Sequence, residues 1–534
     1  MIVIVLYICE IIRIILSFTY PVSNYFLDLI YRLLMGPNKP LPPIDNKILL
    51  VPAVELAEKI RKRQVTCKEV MRAYIQRSQL IHDNINAVTD QRYVEALQDA
   101  VAVDRFLESG EKTEEQIAEE TPLLGVPFTC KEVLGVKGLA QTAGLVKAKG
   151  HLAEVDGDAP AMYRKAGAIP VTVTNVPEIC MWWETDNHVY GNTKNPYDNR
   201  RTTGGSTGGE AALLTGAGAI IGIGTDIGGS IRLPSAFCGV YGHKSSRDIV
   251  SNWGAFPYCK LSPDGEHIFT EERPQRHFAS TGPMCRYAKD LPLLLKVLSG
   301  DDKRIQLDKK VDFRKVKVYY MKGIPGFFNS AQAEIQRAIM KAANHFEEEF
   351  GVKAIPLDIK ELKYAFAMWS AKFREIGAKP LKTGLCYGKE SINLWLELLK
   401  SFFRCSDHTL PLIFFSLLKP MDDKFYHKCL EMYKAMHKKF EDIFEEDAVF
   451  LFPTHPEPPP HCLMTIPKFP NVAYTCIFNI LGYPITAIPA GLSNGLPIGI
   501  QAISGQFKDH LTIAAAQELD KVFGGWISPC PIKA

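Results

Sequence analysis

Two Gly-Gly-Ser triplets stand close together in this 534-residue chain, at 204–206 and 228–230. They lie in the runs Thr203-Gly204-Gly205-Ser206-Thr207-Gly208-Gly209-Glu210 and Thr225-Asp226-Ile227-Gly228-Gly229-Ser230-Ile231-Arg232-Leu233-Pro234. Glycine lets backbone approach a ligand closely and turn its N–H groups inward. Beside a nucleophilic serine, such groups stabilise the negative charge that develops on a carbonyl oxygen under attack. A serine hydroxyl is a weak nucleophile, so it needs a base. Histidine is the usual base, but the chain has no G-x-S-x-G elbow. A lysine serves instead when burial lowers its pKa and leaves it neutral. Lys131, at the end of the apolar run Pro122-Leu123-Leu124-Gly125-Val126-Pro127-Phe128-Thr129, has that context.

Other chemistries fit less well. Gly216-Ala217-Gly218 followed by Gly222 has the wrong spacing for a dinucleotide fingerprint, which needs G-x-G-x-x-G. No P-loop sequence is present. Tight turns alone would explain one Gly-Gly-Ser triplet; two of them, flanked by Asp226 and Arg232, favour a site. His243 reads as a structural residue of its Gly-His-Lys loop. His455 and His461 sit in a proline-rich loop without zinc-ligand spacing. Standing alone, Lys131 would read as a surface charge.

The segments GGSTGGE, TDIGGSIRLP and GVPFTCKE together resemble the amidase-signature family. Lys131 and Ser206 are 75 residues apart, Ser206 and Ser230 are 24, and both spacings agree with it. Within it, the chain is most similar to fatty-acid amide hydrolases of the second, N-terminally anchored type. The likeness runs over nearly all of residues 45–530. It includes Asn195-Pro196-Tyr197-Asp198 and the ending Phe523-Gly524-Gly525-Trp526. The resemblance implies an α/β fold with one large twisted mixed sheet covered by helices. It implies catalytic roles for Lys131, Ser206 and Ser230. Ser230 is the nucleophile that becomes the acyl-enzyme, and Ser206, in a turn with a cis peptide, relays its proton to Lys131. Lys131 returns the proton to the leaving amine. Backbone N–H groups of Ile227, Gly228, Gly229 and Ser230 form the oxyanion hole. Cys180, Met181, Trp182 and Trp183 match a substrate-channel stretch, although an aromatic cluster serves equally well as core. Asp226 and Arg232 are expected to hold the glycine loop by hydrogen bonds. Thr207 and Ser245 depart from the family's common serine and proline without touching the three catalytic positions.

These residues must be positioned by regular elements. Leu56, Ala57 and Ile60 share a helical face, and Thr66 is an expected N-cap for a helix carrying Val70, Met71, Tyr74 and Ile75. Residues 122–129 read as a buried strand, 159–167 as helix, and 168–174 as strand. The alternation argues for an α/β core. Residues 390–446 form the longest helical region. Within it, 393–418 reads as two apolar helical pieces joined at Ser406-Asp407-His408, with Lys400, Arg404 and Lys419 placed to meet lipid headgroups. The resemblance makes 390–420 a membrane cap; the alternative is burial in the core or a dimer interface.

Residues 1–35 are mostly apolar. Glu10 with Arg13 and Asp28 with Arg32 are spaced to pair on a helix. No basic start marks a secretory signal. The expectation is a single N-terminal membrane anchor, spanning or interfacial, with a hydrophobic arm docked on the domain as the alternative. Residues 36–44 read as a proline-rich linker, and 45–534 as one catalytic domain.

The formal net charge is +3, from 62 basic and 59 acidic residues, so no nucleic-acid footprint is present. The thirteen cysteines form no CxxC pair and read as free thiols. Nothing calls for a metal or an organic cofactor. The resulting expectation is a membrane-associated serine amidase acting on a lipid-like amide, possible as a homodimer. Two alternatives stay open: an amidase of small soluble amides, including a glutaminase subunit of an amidotransferase, and an inactive lipid-binding or scaffold protein.

Overall fold

The computed structural model of the chain describes residues 36–256, 278–326, 330–378, 381–385, 392–418 and 421–533, with Tyr25, Phe26, Leu29, Ile30 and Leu33 ahead of them. Its centre is an eleven-stranded sheet. The strands are β1 (Val88–Gln91), β2 (Pro127–Lys131), β3 (Ile169–Thr174), β4 (Ile221–Asp226), β5 (Tyr241–Lys244), β6 (Ser280–Cys285), β7 (Lys317–Tyr320), β8 (Ala354–Pro356), β9 (Ala448–Pro453), β10 (Ile485–Ser493) and β11 (Leu496–Ile503). Their spatial order is β1-β3-β2-β4-β6-β5-β10-β11-β9-β7-β8. The sheet is mixed: β3, β2 and β4 run parallel, as do β8, β7 and β9, while β10 and β11 pair antiparallel. Helices used below are α1 (Ala53–Arg61), α2 (Cys67–Ile85), α3 (Asp158–Lys165), α4 (Gly208–Thr215), α5 (Arg232–Cys238), α6 (Ala365–Glu375), α7 (Leu394–Phe402), α8 (Leu410–Leu417), α9 (Asp423–Ile443) and α10 (Ala473–Leu481).

Local chemistry explains the elements around the site. Every residue of β2 is buried, as is every residue of β3. β2 is flanked on both sides by parallel neighbours, and such strands, covered on both faces, are buried throughout. The expected strand over 122–129 starts later, at Pro127, because Leu124 N–H donates to Thr121 O and Val126 N–H to Leu123 O in a turn. Thr66 and Glu69 form a capping box at the start of α2, satisfying two N-terminal donors reciprocally. Among the described residues, the region 390–446 holds three helices, and the first two are the two apolar pieces expected within 393–418. Asn393 and Asp422 cap α7 and α9 through their side chains, and each cap forces a fresh helix start.

The proline-rich stretch 36–44 is strapped to the domain. Arg77 donates to the carbonyls of Pro42 and Pro43 at 3.0 and 2.9 Å. Ile44 N–H donates to Pro531 O, and Lys533 N–H to Ile44 O, at 2.9 and 2.7 Å. Most of the expected anchor, with Glu10, Arg13, Asp28 and Arg32, lies outside the described residues. Among the described residues, no helix is long and apolar enough to cross a membrane.

Candidate active site

Three neighbouring elements deliver the chemistry. Lys131 ends β2, so its side chain leaves the sheet at the strand's carboxyl end. Ser206 precedes α4, and Ser230 lies in the turn from β4 to α5. The Gly205–Ser206 peptide is cis, as the resemblance implied. Thr207 N–H donates to Ser230 O at 3.1 Å, which lays the two Gly-Ser turns side by side.

Lys131 Nζ lies 2.7 Å from Ser206 Oγ. It also donates to Thr225 Oγ1 at 2.8 Å and to Thr225 O at 3.3 Å. No carboxylate pairs with this amine among the described residues. Lys131 is fully buried, and that burial pushes its pKa below the ordinary lysine value. The thiol of Cys180 lies against both Lys131 and Ser206. A neutral amine at this distance can accept a hydroxyl proton. Ser206 is 1% exposed and Ser230 9%, so Ser230 is the serine a ligand reaches.

The Gly-Ser loop is held by Asp226 and Arg232. Arg232 Nη2 and Nε contact the two Asp226 carboxylate oxygens at 2.9 and 3.0 Å, with both side chains fully buried. Burial alone would raise the Asp226 pKa; the Arg232 guanidinium and the hydrogen bonds outweigh it and hold the carboxyl well below its usual range. Asp226 also accepts from the N–H groups of Gly229 and Ile231, at 2.8 and 3.0 Å. The Gly229 N–H, one of the four expected in the oxyanion hole, thus faces the Asp226 carboxylate. The N–H groups of Ile227, Gly228 and Ser230 have no acceptor among the described residues. Gly229 is required by its backbone: φ is 130°, and a Cβ there would run into Thr475 Oγ1. Thr475 Oγ1 in turn donates to Gly228 O at 2.6 Å, and Trp369 Nε1 donates to Ile227 O at 2.9 Å.

A pocket opens onto Ser230. Its walls include Cys180, Met181, Trp182 and Trp183, with Phe366 and Trp369 of α6, Phe415 of α8, and Phe469. Trp182 and Trp183 are nonetheless mostly buried, so they pack and line at once. Trp182 stacks on Phe469, with ring centroids 5.8 Å apart. No histidine or charged side chain lines this pocket among the described residues. His243 is buried elsewhere, its ring nitrogens 2.9 Å from Thr486 Oγ1 and 3.1 Å from Asp509 Oδ1. His455 packs on Trp183 and Phe237, and burial pushes its pKa down to about 3. His461 Nδ1 lies 3.3 Å from Arg200 O.

Sequence reasoning missed Thr225, Thr475, Phe366, Trp369 and Phe469. Thr225 had a signal, since it sits inside the second glycine motif one residue before Asp226. The others come from segments more than 130 residues downstream of Ser230, with no local pattern to mark them.

The amine–hydroxyl contact, the glycine loop and the mixed sheet together define an amide-hydrolysing enzyme of the amidase class, and the chain belongs to the amidase family, whose model matches residues 69–513. Its relatives include fatty-acid amide hydrolase 2 from Homo sapiens, 39% identical over 502 residues, with 91% of this chain and 92% of that protein covered. Fatty-acid amide hydrolase 2-B from Danio rerio is 37% identical over 521 residues, covering 95% and 96%. A solved structure of fatty acid amide hydrolase superposes with a TM-score of 0.71 at 22% identity, covering 92% of this chain and 87% of that one.

Proposed function

We propose that this amidase hydrolyses fatty-acid amides through an acyl-enzyme on Ser230. The observation that carries the reading is the 2.7 Å contact between Lys131 Nζ and Ser206 Oγ, buried without a carboxylate beside a pocket that ends at Ser230. Neutral Lys131 takes the Ser206 proton as Ser206 takes that of Ser230. The freed Ser230 Oγ attacks the amide carbon, and the oxyanion is met by the N–H groups of Ile227, Gly228 and Ser230. The intermediate collapses, and Lys131 returns its proton through Ser206 to the departing amine nitrogen. Water then attacks the ester by the same relay, releasing a carboxylic acid and restoring Ser230.

The apolar walls suit an acyl chain and offer nothing to a charged amino acid, which favours a fatty-acid amide over glutamine. The names of the two relatives support the same substrate class. Membrane association belongs to this reading. Trp395, Phe402, Phe403 and Phe414, on the neighbouring helices α7 and α8, are 71%, 83%, 65% and 48% exposed. Such a patch is large for a soluble surface. Phe415, one residue on, faces the pocket, so lipid contact and chain entry are adjacent.

The test is covalent capture. A fluorophosphonate probe should label Ser230, and a slowly hydrolysed long-chain amide should leave an acyl adduct there by mass spectrometry. Labelling that persists in Ser230→Ala would overturn the assignment.

A further inference from the structure

The Cys180–Trp183 wall is held by a carboxylate that does not itself line the pocket. Glu178 is 1% exposed. Its Oε1 accepts from His408 Nδ1 at 2.7 Å. Its Oε2 accepts from Thr409 N–H at 2.8 Å and from Thr409 Oγ1 at 3.0 Å. Thr409 is the N-cap of α8, yet its hydroxyl caps nothing in that helix and is committed to Glu178. The carboxylate therefore stands at the positive end of α8, where a negative charge is favoured.

Glu178 has a second attachment, along the chain. Ile179 and Cys180 follow it with φ of 47° and 57°. Left-handed backbone at non-glycine residues is strained and persists only where the surroundings impose it. Here Ile179 N–H donates to Ala143 O at 2.7 Å on one side, and Glu178 is gripped by α8 on the other. The turn delivers Cys180 to Lys131 and Trp182 to the pocket. There α8 brings Phe415 into edge-to-face contact with Trp182, ring centroids 6.3 Å apart. One carboxylate thus joins two wall segments that are far apart in sequence.

We infer that Glu178 is a positioning residue that holds Trp182 against Phe415, and so fixes the shape of the pocket wall and with it the acyl chain the pocket accepts. The inference rests on the substrate reading of that pocket. Glu178→Gln keeps the shape but removes the charge, so both grips on α8 weaken, because hydrogen bonds to charged groups are the stronger ones. The contact between Trp182 and Phe415 then loosens.

The experiment uses full-length protein in detergent micelles and a series of acyl anilides that differ only in chain length. Glu178→Gln should raise KM about tenfold for the longest chains, with progressively less effect as the chain shortens and little change in kcat. Thr409→Val, which keeps the N–H but loses the hydroxyl, should move KM the same way by less. Fluorophosphonate labelling is followed in parallel. A loss of kcat equal at every chain length, or no change at any, overturns the inference. If Glu178→Gln does not fold, Thr409→Val decides by the same criterion. If wild-type Ser230 does not label, the substrate reading fails and takes this inference with it. Labelling with a length-independent defect sinks the positioning role alone.

Discussion

Asp226 and Arg232 meet as a bidentate ion pair with no exposure to solvent, at 2.9 and 3.0 Å. The pair does two jobs, since the same carboxylate also receives the Gly229 and Ile231 N–H groups. Asp226→Asn leaves a guanidinium buried without its counter-charge. That should destabilise the protein by about 3–5 kcal/mol, measured by urea denaturation, because an orphaned buried charge costs far more than an exposed one. Probe labelling of whatever remains folded should also slow, since the glycine loop loses its template.

Lys131 has to be neutral to start the cycle. Its pKa is depressed by burial, so amide kcat/KM should rise with pH through that depressed value and level off before the ordinary 10.5. Lys131→Ala should cost amides at least about a hundredfold, within the range typical of general acid–base groups, and cost activated esters less. The reason is that a good alkoxide leaving group needs no proton. Equal losses for matched amide and ester substrates would remove Lys131 from leaving-group protonation.

Lys244 gives a stability signature separate from catalysis. It is fully buried, donates among the described residues to Ser245 O and Ser280 Oγ, and burial pushes its pKa down to about 7. Between about 7 and the ordinary 10.5 the unfolded chain binds a proton that the folded protein does not. Stability therefore rises with pH across that window, and the penalty is complete below it. Lys244→Met should flatten the rise in Tm between neutral and alkaline pH. An unchanged slope would mean that Lys244 keeps its charge in the folded protein.

The exposed aromatic face should matter only where there is lipid. Replacing Phe402, Phe403 and Phe414 with serine, in protein lacking residues 1–35, should reduce vesicle flotation strongly, at roughly 1.5–3 kcal/mol per side chain withdrawn from lipid. Hydrolysis of a short soluble amide should continue at its former rate. Phe415 is excluded from the set because it lines the pocket. Loss of soluble-substrate activity together with a lower Tm would mark these residues as core.

The Lys131–Ser206 contact and the paired glycine turns were legible because their parts are short and local. A buried β-strand ends at a lysine, and two Gly-Ser turns occur 24 residues apart. The Thr66–Glu69 capping box was equally readable, since both members lie within one turn. The pocket walls were not. Phe366, Trp369 and Phe469 look like any other core aromatic until the fold brings them to Ser230. Gly229 shows a finer limit. Its motif marks a loop of inward-pointing N–H groups, but which of them a neighbouring carboxylate takes is decided by side-chain geometry. In the apolar run after 390 the polar residues Ser406-Asp407-His408 made the break between α7 and α8 readable.

The pairing of Ile44 with Pro531, Ile532 and Lys533 brings the first and last backbone groups of the catalytic body together, although the entire sheet separates them in sequence. A pull from the N-terminal side therefore reaches the Tyr197–Asn199 turn, Arg77 of α2 and the C-terminal tail before it reaches the sheet. The two chain ends of the described body thus meet at one seam, so a tag fused behind the tail starts beside Ile44.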